Sequence, residues 1–141
     1  MTTAVDTNVF VAFWDQASTL NSLARSGLDG ALAAGSLVIA APVYAELLAF
    51  PTRNEAFLDF FFKDTGIAVD WDIDEQIWRA AGRAFQGYAS RRKKHSGAVI
   101  PRRILADFLI GAHALRRGHR LLTLDDGLYR AAFPRLSVVP V

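Results

Sequence analysis

The chain contains no cysteine. That excludes disulfides and thiolate metal sites, and leaves oxygen atoms or histidine to hold any metal. Oxygen ligands in turn favour hard cations such as magnesium or manganese. Lysine is scarce: Lys63, Lys93 and Lys94 are the only examples. No apolar run approaches the roughly 20 residues needed to span a bilayer. The N-terminus carries no basic leader, and Asp6 interrupts what would otherwise be an apolar signal core. The sequence therefore reads as cytoplasmic, with no membrane partner. No internal repeat, low-complexity segment or linker divides it, and 141 residues suit a single domain over 1–141. A hydrophobic content of 52% with 21% charged residues is ordinary for a globular protein. A net charge of +2 identifies no partner by itself.

Strand-like and helix-like segments alternate along the chain. Residues 2–5 are β-compatible, and 8–14 read as a helix that Thr7 or Asn8 can cap. A helix follows over 18–34, then the continuous apolar run 37–40, the mark of a buried parallel strand. Pro42 suits the first turn of a helix over 43–50, and Pro51 ends it. Another helix (54–63) and a strand (67–69) follow. Asp72 and Glu75 suggest a capping box for a long helix over 73–90. A basic loop is expected over 91–100, then a helix from Pro101 to 117 closed by Gly118. The chain ends with a strand (120–123), a short helix (127–132) and a strand (137–139). This alternation predicts an α/β domain with a largely parallel sheet and helices on both faces.

Four carboxylates stand in unusual company. Asp6 is the only charge in the first fourteen residues. Glu46 is the only charge between Asp29 and Arg53, and Asp107 the only one between Arg103 and Arg116, with His113 counted as neutral. Asp125 closes the apolar run Leu121-Leu-Thr-Leu124. A buried carboxylate must be protonated or matched by a cation. No lysine or arginine lies locally to pair with Asp6, Glu46 or Asp107, and one shared cation accounts for all three. Asp6 and Asp125 each follow a predicted strand, at the sheet edge where open parallel sheets bind ligands. Glu46 and Asp107 lie near helix starts that reach the same edge.

Plainer readings exist for each residue. Asp6 reads equally well as a helix N-cap, and Glu46 as a helix-end residue reaching for solvent. Asp125 and Asp126 before Gly127 are typical turn residues. Asp107 resists such an account, because the segments on both sides of it are apolar.

Arg91, Arg92, Lys93, Lys94, Arg102 and Arg103 fall within thirteen positions. Taken alone they describe a solvated loop; placed just before Asp107 they offer a phosphate-contacting surface near the acids. Trp14, Trp71, Trp78 and Tyr129 are the aromatics available for stacking on bases, but none is assigned, since aromatics at helical spacing usually belong to a core. His95 and His119 read as exposed. His113, six residues after Asp107, reads as a packing residue and not a ligand.

With these residues in hand, the sequence resembles the PIN-domain family. The carrying segments are Asp6-Thr7-Asn8, Glu46 within Pro42-Val-Tyr-Ala-Glu-Leu47, Asp107 within Leu105-Ala-Asp-Phe-Leu-Ile-Gly-Ala-His-Ala114, and Thr123-Leu-Asp125. Each is weak alone; the ordered set spans the chain. The length is similar to that of the toxin half of VapBC toxin–antitoxin pairs. The resemblance implies a three-layer α/β/α sandwich with a central, mostly parallel sheet. It implies a magnesium-dependent endoribonuclease toxin, with manganese as the alternative ion, cutting tRNA or rRNA. It implies that Asp6, Glu46, Asp107 and Asp125 are catalytic metal ligands, with Asn8 and Thr123 as supporting polar groups. Asp126 is the rival to Asp125, which is preferred because Thr123 precedes it by two residues. A VapB-type antitoxin and a homodimer are the partners implied.

Three other readings compete. A haloacid-dehalogenase-type phosphatase needs a second aspartate two residues after the first, where this chain has Asn8. A receiver-type domain needs a lysine after a late strand, and none is present. A PIN-like scaffold that binds without catalysis would not need its four acids intact.

Overall fold

The computed structural model describes residues 1–94 and 103–141. The elements run β1 (Thr2–Val5), α1 (Thr7–Trp14), α2 (Asn21–Ala34), β2 (Ser36–Ala40), α3 (Ala41–Leu47), α4 (Glu55–Thr65) and β3 (Ala68–Asp70). They continue with α5 (Glu75–Lys94), α6 (Leu105–Arg116), β4 (Arg120–Thr123), α7 (Asp126–Ala132) and β5 (Val138–Pro140). The five strands form one sheet in the order β3-β2-β1-β4-β5, every pair parallel.

The strands are short and apolar because both faces are covered. Leu37 to Ala40 are buried in succession, as are Leu121 to Thr123. Successive side chains point to opposite faces. Gly27 of α2 approaches the Leu122 methyl on one face, and α5 and α6 pack as a pair with α6 against β2 and β4. This is the expected three-layer α/β/α arrangement. Helix α6 is its central pillar: Phe108 through Ala114 are all buried. Gly35 is required where α2 turns into β2, because a Cβ there would lie 1.8 Å from the Met1 carbonyl oxygen.

Several element ends differ from the sequence expectation, each for a local reason. Of the three capping candidates Asp6, Thr7 and Asn8, it is Asp6 that caps α1, accepting from the Thr7 N–H at 2.8 Å. Helix α2 starts at Asn21, which spends its side-chain amide on the Ala12 and Phe13 carbonyls at the end of α1. Asp74 caps α5 through the Ile77 N–H, replacing the expected Asp72–Glu75 box; Glu75 instead pairs with Arg79 one turn on. The largest correction is at the other end of α5. Arg91, Arg92, Lys93 and Lys94 lie on its last turn and not in a loop, where positive charge complements the helix dipole. Residues 95–102 lie outside the described part, and with them His95, Arg102 and the expected helix start at Pro101. Arg103 and Ile104 are not helical. Among the described residues, no helix is long and apolar enough to cross a membrane.

Candidate active site

The strand order reverses direction between β1 and β4, because the chain leaves β1 toward β2 and β3 and then crosses back to β4. A crevice opens beyond the strand ends at such a switch point. Asp6 follows β1 there, and Thr123 ends β4. A cavity of about 290 Å³ occupies this place, lined by Asp6, Thr7, Asn8, Val11, Glu46, Arg103, Asp107 and Asp125. All four carboxylates singled out in the sequence face it. Two other cavities, of about 310 and 360 Å³, contain no aspartate or glutamate side chain. Chemistry, not size, distinguishes the acidic one.

A short hydrogen-bond chain fixes the acids. The Asp6 Oδ1 accepts from the Thr7 N–H and its Oδ2 from the Thr123 hydroxyl at 2.8 Å. The Thr123 oxygen then accepts from the Asp125 N–H at 2.9 Å, so one threonine links both aspartates. The Thr7 hydroxyl donates to Glu46 at 2.6 Å. Asn8 accepts from the Leu124 N–H at 3.2 Å and ties the turn after β4 to α1. Arg103 reaches Asp125 at 2.6 Å. Among the described residues no cation pairs with Asp6, Glu46 or Asp107. Asp126 pairs with Arg130 on α7 and does not line the cavity, which leaves Asp125 as the acid of that turn.

The electrostatics follow from this placement. Asp6 is 4% exposed, and burial pushes its pKa up to about 6, against the hydrogen bonds that favour its charged form; Asp107 adds to the rise. Burial also raises Asp107, with Glu46 and Asp125 contributing, while Arg103 opposes them. Among the described residues, Arg103 is the one cation lining the cavity to offset this negative charge. Among the described residues no three of these acids stand close enough to close around an ion as they are. The donor set still fits a hard cation: oxygen atoms only, excess negative charge, and beside Asp6 a buried hydroxyl, Tyr129, that makes no well-formed hydrogen bond among the described residues.

Thr7 and Tyr129 were not singled out as site residues from the sequence. Thr7 was legible only as a capping residue; its hydroxyl contact with Glu46 joins positions 39 apart. Tyr129, considered for base stacking, is 1% exposed and unavailable to a base. Trp14 is likewise committed to packing, against Phe50, Phe57 and Phe61. Trp71 and Trp78 are 62% and 50% exposed. Of the basic group, Arg103 alone among the described residues lines the cavity. Arg92 lies over the Tyr88 ring.

His113 is fully buried, away from the acidic cavity, with Nε2 2.9 Å from Asp70. His119 is half-buried beside it and not exposed as expected. Arg117 completes this second cluster, contacting Asp70, Asp72 and Asp74 at 3.3, 3.5 and 3.4 Å.

Parallel sheet, helices on both faces and a crevice at the switch point define an α/β domain with four carboxylates lining one cavity. The chain belongs to the PIN domain family, whose model matches residues 3–134. Its fold is similar to that of a chain of VapBC2 from Rickettsia felis, solved bound to a promoter DNA fragment, with a TM-score of 0.70 at 19% identity over 99% of this chain and 98% of that one. It is also similar to a chain of VapBC-1 from nontypeable Haemophilus influenzae, with a TM-score of 0.65 at 24% identity over 99% and 98% of the two chains. A third similar structure is VapC20 of Mycobacterium tuberculosis, a toxin that cleaves the sarcin-ricin loop, with a TM-score of 0.58 at 16% identity over 93% and 95%. No curated protein matches the sequence.

Proposed function

We propose that this chain is a magnesium-dependent endoribonuclease and the toxin of a VapBC-type pair, acting as a single PIN-like domain in the cytoplasm. The observation that carries the reading is the meeting of Asp6, Glu46, Asp107 and Asp125 at one cavity, three of them without a cationic partner among the described residues. Family membership and the fold shared with VapBC structures support it.

Asp6, Glu46, Asp107 and Asp125 would hold magnesium, or manganese in its place. When bound, the cation supplies an activated water and charge stabilisation for in-line phosphodiester hydrolysis, leaving a 3′-hydroxyl and a 5′-phosphate. The protein's part is to hold its acids in place. Thr123 and the Thr7 N–H fix Asp6, the Thr7 hydroxyl fixes Glu46, and Asn8 secures the turn that carries Asp125. Arg103 neutralises part of the charge and stands where an RNA phosphate would enter. Arg91, Arg92, Lys93 and Lys94 on the last turn of α5 would add basic surface to position the strand, and Arg102, outside the described residues, is included on its sequence alone. A tRNA or rRNA would be the substrate, a VapB-type antitoxin would block the cleft, and the toxin would work as a homodimer.

The test is cleavage of structured RNA by the purified chain with magnesium and with EDTA, repeated with Asp6→Asn and Asp107→Asn. Cleavage that needs magnesium and disappears in both variants is expected. Retained cleavage in either variant, or in EDTA, would overturn the assignment.

A further inference from the structure

Tyr129 is the residue the proposed mechanism leaves unexplained. Its side chain is 1% exposed, yet its hydroxyl makes no well-formed hydrogen bond among the described residues. Burying a phenol without a partner carries a cost, and phenylalanine would fill the same space without it. A group kept at a cost to the fold calls for another use.

Its surroundings say what that use is. Tyr129 is the buried residue of α7, the helix that follows Asp125. Phe133, four residues further, meets Gly111 of α6, where a Cβ would lie 2.3 Å from its ring. Gly111 is itself four residues after Asp107. The end of α7 is thereby fixed against the helix that carries Asp107. A phenol keeps its proton at neutral pH, so the hydroxyl is a donor. It lies close enough to Asp6 to favour that group's charged form, although the bond between them is not well made as the acids stand. Asp6 has room for it, since an ionised carboxylate offers about four acceptor sites and only two are used by Thr7 and Thr123.

We propose that Tyr129 is a positioning residue of the acidic cleft, whose buried hydroxyl completes its hydrogen bond to Asp6 when the acids draw together around a cation. The inference rests on the cleft being a cation site. It assigns to Tyr129 a contact that its ring alone does not provide.

The experiment is Tyr129→Phe in the full chain, compared with wild type and Asp107→Asn. Three quantities are measured: the melting temperature in EDTA, the dissociation constant for Mn²⁺ by calorimetry, and kcat and KM on RNA. The expected result is a metal-free melting temperature equal to or above wild type, Mn²⁺ binding weakened about tenfold, as when a ligand's hydrogen-bond partner is removed, and a fall in kcat at unchanged KM. A lower melting temperature with unchanged Mn²⁺ affinity would overturn the inference and leave Tyr129 as packing. If wild type bound no Mn²⁺, or Asp107→Asn bound it as tightly, the cleft reading itself would fail and take this inference with it. Wild-type binding that Tyr129→Phe matches would defeat the inference alone.

Discussion

Helix α6 borders two groups of aspartates that are treated in opposite ways. At its first turn, Asp107 joins Asp6, Glu46 and Asp125, and Arg103 is the one cation among the described residues lining their cavity. Further along, Asp70, Asp72 and Asp74 converge on Arg117, with His113 also bonded to Asp70. Burial would raise Asp70, but the His113 bond, the Asp72 N–H and Arg117 outweigh it and hold the carboxyl below its usual range. Asp6 and Asp107 move the other way, pushed up chiefly by burial. A cluster that is internally neutralised belongs to the fold. The acidic one is left in deficit among the described residues, the pattern on which the proposed cation site rests.

The comparison breaks most sharply in activity. Asp107→Asn is expected to lower RNA cleavage on the order of a hundredfold or more, since a metal ligand is lost, while the melting temperature in EDTA does not fall. A cleavage assay beside a thermal melt checks both halves.

Next comes the pH dependence of Asp6. Its folded pKa of about 6 lies above the ordinary aspartate value of 3.8. Above pH 6 the folded, metal-free protein carries a buried charge that the unfolded chain carries freely, so the group is destabilising there. As pH falls from 6 toward 4 the folded state takes up the proton first, and that penalty disappears. Asp6→Asn should therefore stabilise the EDTA-treated protein at pH 7.5 by up to about 3 kcal/mol, and by progressively less toward pH 4. Denaturant titrations across that range check it; a gain independent of pH would contradict the placement of Asp6.

Arg117→Ala attacks the other cluster. It leaves Asp70 without its arginine and should cost about 2 kcal/mol of stability, between the values for exposed and buried pairs. Cleavage per folded molecule should be unchanged. Arg103→Gln should have a smaller effect, about threefold tighter Mn²⁺ binding because a competing cation is gone, together with weaker RNA binding. Arg79→Ala removes a pair exposed by 63% and 72% on its two sides and should change the melting temperature negligibly.

Much of the cleft was legible in the sequence because isolated charges in apolar segments demand an explanation. Asp107 between Ile104-Leu-Ala and Phe108-Leu-Ile is the clearest instance. The sheet was legible for a related reason: the apolar runs at 37–40 and 121–124 are too short for helices and too continuous for half-exposed strands. The basic run 91–94 misled, because charge density suggests a loop, while a helix dipole makes the same residues a favourable last turn. The cap of α5 was displaced by two residues because Asp70, Asp72 and Asp74 are near-equivalent in sequence, and the partners that separate them, His113 and Arg117, lie about 40 residues away.

The sequence by itself determined the α/β class, the order of the elements and the four acids that needed company, because hydrophobic period and charge isolation are local properties. The tertiary structure decided which acids remain in deficit and which are neutralised. It also decided that Thr7 holds Glu46, that Arg103 meets Asp125, and that the Tyr129 hydroxyl faces Asp6. Those are contacts between distant segments, set by how helices pack across a sheet, and no local pattern encodes the direction in which a buried side chain points.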